Sequence, residues 1–158
     1  MTFMKISTVF LITVAGFVFL STNDLPASGK KKMTKKDLPP SVVSSFEKSY
    51  PNAAIEGIGK EKENGVTYYE VESVDGKTRR DLLYRTDGAV VEIEETISTA
   101  AIPGPVAKTF SERFTGYILV KAEKVTRGSD VSYELTIKGG KGKKEVVFNP
   151  AGKVLKPK

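Results

Sequence analysis

Carboxylates are the only side chains of this 158-residue chain whose types and spacing could support catalysis, because the sequence has no cysteine and no histidine. Their absence excludes cysteine- and histidine-based zinc sites, thiol nucleophiles, disulfides and Ser-His-Asp triads. Glu92 and Glu94 alternate along a predicted strand and therefore share one face, about 7 Å apart, and the acid pairs of glycosidases have a similar separation. The sequence reveals no apolar surroundings that would raise the pKa of either residue, so we predict that the protein is not an enzyme.

Two further motifs resemble ligand sites but are better explained as turns. Asp75-Gly76 and Asp87-Gly88 supply the carboxylate of a calcium loop, yet each is a two-residue turn without further oxygen ligands. The glycine- and lysine-rich stretch from Gly139 to Lys144 resembles a phosphate-binding loop, but no helix follows it. It is predicted to be a hairpin turn. We therefore predict no metal and no cofactor.

The first segment of the chain indicates export. Ile6–Leu20 is an uncharged and almost wholly apolar run, shorter than the roughly 20 residues that span a bilayer but typical of a signal peptide. Small residues follow it, so residues 1–29 are predicted to be a cleaved signal peptide, with an uncleaved N-terminal anchor as the alternative. Cleavage would leave a periplasmic or secreted protein with no stable membrane insertion, for which we expect no nucleic-acid partner.

Charge is distributed unevenly along the rest of the chain. Five lysines and no acid occupy Lys30–Lys36, and residues 30–37 are predicted to be a solvated, lysine-rich linker; an arm that touches anionic lipid or a wall polymer is the alternative. Residues 37–101 contain 7 basic and 13 acidic side chains, whereas residues 102–158 contain 12 and 5. These halves are either complementary neighbours in one sheet or poles that orient a partner.

Residues 38–101 and 102–158 are predicted to be two copies of one unit. At an offset of 64 residues, the two segments agree in residue class without an insertion, which is the mark of an internal repeat. Phe46 aligns with Phe110, and Tyr69-Glu70-Val71 aligns with Tyr133-Glu134-Leu135. We call the two copies repeat 1 and repeat 2.

Each repeat is predicted to be a helix followed by four antiparallel strands. An apolar stripe at helical spacing marks the first helix, at Val42, Val43, Phe46 and Tyr50. Pro51 ends this helix, and Ser41 is placed to cap it. Asn-Gly and Asp-Gly turns then separate four strands, at Ala54–Glu63, Val66–Val74, Lys77–Arg85 and Ala89–Glu95. We expect an α+β fold in which the two meanders join edge to edge into one eight-stranded sheet, with both helices on one face.

Short motifs of repeat 1 carry a family resemblance. They are Leu38-Pro39, Tyr50-Pro51, Lys60-Glu61, Tyr69-Glu70-Val71, Leu83-Tyr84 and Asp87-Gly88. Together they resemble the PepSY-like, beta-lactamase-inhibitor-like family, over Leu38 to Leu155. The resemblance implies an exported bacterial protein built from tandem helix-plus-sheet repeats. It also implies a module that grips a protein with its sheet, as the inhibitor that names the fold does, although the disulfides of that inhibitor are absent here.

Alternation along the second strand separates core residues from residues that are free to bind. Tyr69 and Val71 are predicted to face the helix, whereas Tyr68, Glu70 and Glu72 are predicted to face away. Tyr68 has no aromatic counterpart in repeat 2, and exposed tyrosines anchor many protein interfaces. We predict that Tyr68, Glu70 and Glu72 contact a partner; an ordinary charged surface is the alternative.

These observations favour an exported, non-catalytic binding module that contacts a protein or peptide through its open sheet face. Inhibition of an enzyme is one form that such binding takes. A periplasmic sensor or accessory protein that binds a small ligand or a cell-wall fragment is the alternative function.

Overall fold

The computed structural model describes residues 33–140 and 142–157. It contains two helices, α1 (Pro40–Ser49) and α2 (Gly104–Arg113), each preceded by a 3₁₀ turn, at Lys35–Asp37 and Thr99–Ala101. Eight strands complete it: β1 (Ala54–Glu63), β2 (Val66–Asp75), β3 (Thr78–Arg85), β4 (Val90–Thr96), β5 (Ile118–Arg127), β6 (Asp130–Gly139), β7 (Gly142–Phe148) and β8 (Val154–Pro157). No helix in this described part of the chain is long and apolar enough to cross a membrane.

The predicted signal peptide and the first three lysines of the linker lie outside the described residues. The last part of the predicted linker is described and is ordered around a 3₁₀ turn. The Thr34 backbone N–H and hydroxyl each donate a hydrogen bond of 2.8 Å to Asp37 Oδ2. Lys35 forms an ion pair with Glu47 of α1. The chain therefore contacts α1 before the first repeat begins.

All eight strands form one antiparallel sheet in sequence order, from β1 to β8. This confirms the predicted fold class, because short turns between successive strands produce a meander. The seam between the repeats is the pairing of β4 with β5, in which Glu94 lies opposite Val125. β1 has the predicted bounds, and the other strands of repeat 1 differ by a residue at an end.

Irregularities of the sheet recur with the predicted offset and confirm the duplication. The starts of β1 and β5 lie 64 residues apart. Each strand has a register shift at the same place, between Ile55 and Gly57 in β1 and between Leu119 and Lys121 in β5. β3 and β7 share a second pair of equivalent shifts. Bulges bend a strand locally, so both sheets bend at matching points.

Each helix packs closely on a glycine in the last turn of its own repeat. Gly88 and Gly152 have φ values of 86° and 82°. A Cβ would lie 2.6 Å from the Ser41 carbonyl oxygen at the first and 2.4 Å from the Pro105 carbonyl oxygen at the second. The prediction that Ser41 caps α1 is wrong, because its hydroxyl instead donates a 2.6 Å hydrogen bond to the Thr86 carbonyl in this turn.

Each repeat has its own core between helix and sheet. Repeat 1 buries two residues of α1 against β2 and β3, in a cluster of Val42, Phe46, Tyr69, Val71, Leu82 and Tyr84. Repeat 2 buries only Val106 of α2 within the equivalent cluster, on Ala122, Leu135, Ile137, Val146 and Phe148. Phe46 is 3% exposed, whereas its counterpart Phe110 is half-buried at the margin. The two cores are therefore equivalent in position but unequal in closure.

Candidate functional site on the open sheet face

The sheet face opposite the helices carries the residues that the sequence analysis proposed for binding. Tyr69 is 8% exposed and Val71 is fully buried beneath α1. Alternation along β2 therefore directs Tyr68, Glu70 and Glu72 to the open face. The structure places these three side chains on the predicted face, and their role in binding stays a prediction.

Carboxylates dominate the open face around the junction of the two repeats. Directly opposite residues of neighbouring antiparallel strands share a face, so the register brings together carboxylates from β2, β3, β4, β5 and β6. Seven of them form a patch that we call the acidic face: Glu70, Glu72, Asp81, Glu92, Glu94, Glu123 and Glu134. This patch contains the two predicted glutamates of β2 and five carboxylates that the sequence did not assign to binding.

Two glycines of β1 make room for the outermost carboxylates. Gly57 lies opposite Glu72, and Gly59 lies opposite Glu70. A Cβ would come within 2.6 Å of the Glu72 carboxylate oxygen at Gly57 and within 2.8 Å of the Glu70 oxygen at Gly59. The two glutamate side chains therefore occupy space over β1 that any larger residue would fill. A Gly-x-Gly sequence paired with Glu-x-Glu in the next strand is the signal that could have revealed this.

Two cations compensate the central carboxylates. Arg127 of β5 forms a bidentate ion pair with Glu92, with one hydrogen bond of 2.8 Å from Nη2 to Oε1 and a second from Nε to Oε2. Lys121 Nζ lies 2.6 Å from Glu123 Oε1. Glu92 and Glu123 are 8% and 7% exposed, so the pairing offsets the cost of burying their charges. The Arg127–Glu92 pair also crosses the seam and ties repeat 2 to repeat 1.

Glu94 lies in the middle of the acidic face and has a strongly raised pKa. Burial, a hydrogen bond with Glu92 and the charges of Glu134 and Glu123 raise the pKa of Glu94 to about 8. Val125, directly opposite and almost fully buried, gives this carboxyl an apolar neighbour. The expectation of no apolar surroundings is therefore wrong for Glu94. Val125 belongs to the other repeat, so no local pattern around Glu94 predicts their contact.

Neighbouring carboxyls also hold their protons more tightly than usual. Burial, then the charge of Glu72, raises the pKa of Glu70. Burial likewise raises the pKa of Asp81, against the opposing effect of Lys121. One oxygen from each of Asp81, Glu94 and Glu123 lies within 4.8 Å of the others, close enough to share a hard cation. The prediction of no metal stays a prediction. Chemically, the acidic face attracts positive charge and exchanges protons near neutral pH.

Tyr68 stands at one end of the acidic face. It lies between Glu61 of β1 and Arg85 of β3 in the ladder, and its side chain is half-buried. Leu83, also half-buried, lies opposite Glu70 and adds apolar surface to the same face. The arrangement combines an accessible aromatic ring with apolar and anionic groups, as protein-binding surfaces do.

Two overlapping segments of the chain, residues 27–91 and 67–156, match the family described as "Putative beta-lactamase-inhibitor-like, PepSY-like". Together the matches cover both repeats and confirm the resemblance carried by the motifs. No curated protein sequence matches the chain at a significant level.

Solved structures from Bacteroides share the fold. A "putative periplasmic" protein of Bacteroides eggerthii is 21% identical, with a TM-score of 0.65 over 77% of this chain and 88% of that one. A DUF2874 family protein of Bacteroides uniformis is 15% identical, with a TM-score of 0.63 over 76% and 88%. A BLIP-like protein of Bacteroides fragilis is 19% identical, with a TM-score of 0.58 over 75% and 83%. At these identities the likeness shows the fold alone.

Proposed function

We propose that this chain, which belongs to the PepSY-like, beta-lactamase-inhibitor-like family, is an exported, non-catalytic binding module. Its partner is a protein or peptide with a basic surface. The contact is made by the acidic face together with Tyr68, and inhibition of an enzyme is one form that the contact takes.

The observation that carries this proposal is the negative charge left on the acidic face of repeat 1. Arg127 and Lys121 pair with carboxylates at the seam. Among the residues that the structure describes, Glu70 and Glu72 form no ion pair. Complementary charge on a partner would speed the encounter and fix the register of docking.

Tyr68 supplies the apolar part of the proposed contact. Aromatic residues next to charged groups are frequent energetic anchors in protein interfaces. The ring is partly accessible and lies on the same face as Glu70 and Glu72. Repeat 2 has Ser132 at the equivalent position, so the anchor is specific to repeat 1.

The geometry of the carboxylates supports binding rather than catalysis. An acid pair for glycoside hydrolysis needs space between its carboxyl groups for the substrate. Glu92 and Glu94 instead hydrogen-bond to each other, and Arg127 holds Glu92 in a bidentate ion pair. The raised pKa of Glu94 is accounted for by these neighbours and needs no catalytic role.

Export is part of the same proposal. The apolar segment Ile6–Leu20 is typical of a signal peptide, and the structural relative from Bacteroides eggerthii is described as a "putative periplasmic" protein. N-terminal sequencing of the protein from its periplasm should find a start between Ser21 and Lys31. Recovery of intact Met1 in the membrane fraction would contradict export with cleavage.

Capture from a periplasmic extract tests the binding function. The immobilised baits are the wild-type protein, the acidic-face variant Tyr68→Ala/Glu70→Gln/Glu72→Gln, and the control variant Ser132→Ala/Thr136→Ala, which changes equivalent positions of repeat 2. We expect one stoichiometric protein on the wild type and the control. It should be absent from the acidic-face variant and should elute at raised ionic strength, because salt screens exposed charges.

Two results would count against the proposal. Retention of the same protein by all three baits would remove the acidic face from the contact. A soluble small ligand bound without any protein would favour the sensor or accessory function instead. Thermal melting of each bait shows whether a loss of binding reflects unfolding, and melting temperatures near the wild-type value are expected for both variants.

A further inference from the structure

The outer edge of repeat 1 differs from the equivalent strand of repeat 2. β5 lies between β4 and β6, whereas β1 pairs with β2 alone among the described residues. The backbone groups on the outer edge of β1 are therefore available to a further strand.

A groove of about 490 Å³ lies beside this edge, on the helix side of the sheet. Its apolar lining comes from the N-terminal segment, the end of α1 and β1, and includes Met33, Phe46, Tyr50, Ala53, Ile55 and Ile58. Repeat 2 has Tyr117 at the position of Ala53, and that ring packs edge-on against Phe114 with a centroid distance of 6.3 Å. Repeat 1 thus has an alanine and a groove where repeat 2 has a packed tyrosine.

The pairing of β4 with β5 shows what a strand at this edge must carry. Glu95 of β4 lies directly opposite Lys124. Two residues further on, Ile97 donates its backbone N–H to β5 at 2.9 Å and packs against the core of repeat 2. In β1 the equivalents of these contact points are Lys60 and Ile58. A strand added to β1 therefore needs an acid opposite Lys60 and an apolar residue near Ile58, which lines the groove.

The charges of β1 disfavour a second copy as the added strand. Lys60 lies over the ring of Tyr69, 5.5 Å from its centroid, and so faces the helix side; Lys62 shares that side, and Glu61 and Glu63 share the open face. Two copies joined edge to edge in antiparallel fashion would place lysine opposite lysine and glutamate opposite glutamate. Like charges directly opposite each other destabilise a sheet.

The chain's own sequence before Met33 also lacks the required acid. Gly29–Lys32 contains three lysines and no carboxylate. At the offset of 64 residues, Lys31 is the equivalent of Glu95. A lysine opposite Lys60 would repel it, whereas a glutamate would attract it.

We propose that the edge of β1 and its groove form a second binding surface, which accepts an extended segment of a partner protein by strand addition. The segment carries an acidic residue opposite Lys60 and, two residues further on, an apolar residue that enters the groove beside Ile58. Main-chain hydrogen bonds give affinity in this mode, and alternate side chains give specificity. The surface is separate from the acidic face, because Lys60 and the groove lie on the helix side.

A synthetic peptide with the sequence of this chain's own Val90–Ser98 is the probe. In an NMR titration of the exported protein, it should shift the amide signals of β1 and of the groove residues. The peptide variant Glu95→Lys should bind up to about five-fold more weakly, as expected for a cross-strand charge pair. Lys60→Glu in the protein should restore binding of that variant. Lys48→Glu, an exposed site on α1, is the control with the same change of charge.

The proposal is overturned if saturating peptide leaves the β1 signals unchanged, or if Lys60→Glu and Lys48→Glu affect binding alike. Hydrogen exchange of the free protein gives a further check. Protection of the outer β1 amides by the residues before Met33, or by a dimer detected in sedimentation, would show that the edge is already occupied. Tyr68→Ala should leave peptide binding unchanged, which separates this surface from the acidic face.

Discussion

The open faces of the two repeats have the same backbone but different chemistry. Tyr68 of repeat 1 corresponds to Ser132 of repeat 2, and Glu72 corresponds to Thr136. Gly57, which leaves room for the Glu72 carboxylate, corresponds to Lys121, which instead forms an ion pair with Glu123. Repeat 1 therefore presents uncovered carboxylates and an aromatic ring, whereas repeat 2 compensates its charge internally.

Positions that both repeats share are explained by folding, and positions at which they differ need another explanation. Gly88 and Gly152 both allow a helix to approach a turn, and the bulges recur at equivalent places. The open face and the outer edge of β1 follow no such symmetry. The duplication thus serves as an internal control that separates structural residues from candidates for function.

The largest effect is expected from the helix phenylalanines, which test how far the repeats are alike. Phe46→Ala should lower the free energy of unfolding by about 3–5 kcal/mol, as for a buried aromatic residue. Phe110→Ala, at a half-buried position, should cost about 1–3 kcal/mol. Urea unfolding measures both. Equal losses would contradict the unequal closure of the two cores, and a neutral Phe110→Ala would contradict the alignment of the repeats.

The turn glycines should show the opposite result, with nearly equal losses in the two repeats. Gly88→Ala and Gly152→Ala each combine a positive φ with a clash against a helix carbonyl, and each should cost about 2–3 kcal/mol. Gly76→Ala is the matched control, with a φ of 61° but no atom near its Cβ position. It should cost about 1 kcal/mol or less. Equal losses at Gly76 and Gly88 would show that the helix contact contributes nothing.

Glu94 makes stability depend on pH. Its pKa in the folded protein is about 8, above the ordinary value of 4.5, so folding strengthens proton binding. The resulting stabilisation is fully present below about pH 4.5 and is lost as the pH rises through about 8. Glu94→Gln should therefore stabilise the protein by on the order of 1–2 kcal/mol at about pH 8 and hardly at all at about pH 5.

Thermal melts at the two pH values measure this effect. Glu112→Gln, at an exposed site of α2, is the control and should leave the pH dependence unchanged. A wild-type protein whose stability rises between about pH 5 and 8 would contradict the assignment, because the sign would then be that of a carboxyl with a lowered pKa.

The smallest effect is expected at Tyr68. Tyr68→Ala should change the free energy of unfolding by no more than roughly 0.5 kcal/mol, as for a surface site. Its counterpart Ser132→Ala should behave in the same way. A large loss of stability for Tyr68→Ala in a urea titration would mean that this ring belongs to the core.

Local patterns were sufficient to predict the fold. Turn pairs such as Asn64-Gly65 delimit strands, and period-two alternation assigns Tyr69 and Tyr68 to opposite faces. The exception was Ser41, whose hydroxyl contacts Thr86, a residue distant in sequence. A capping residue is recognised from its neighbours, and no local pattern includes the turn that Ser41 contacts.

The candidate site was predictable only in part, because contacts across the seam join residues distant in sequence. The direction of Glu70 and Glu72 followed from alternation. The contact of Glu94 with Val125, and the ion pair of Arg127 with Glu92, depend on the register of β4 against β5. Register between strands joined by a helix is not set by a short turn, so the charge state of Glu94 could not be inferred.

Titration of the captured partner against two neighbouring tyrosine variants tests the central claim most directly. Tyr68→Ala should weaken binding by about 1–2 kcal/mol while the melting temperature stays near the wild-type value. Tyr69→Ala should unfold the protein, because its ring is buried beneath α1. Unchanged affinity for Tyr68→Ala would contradict the claim that the open face of repeat 1 binds the partner. Unfolding by Tyr68→Ala and not by Tyr69→Ala would contradict the assignment of the two faces.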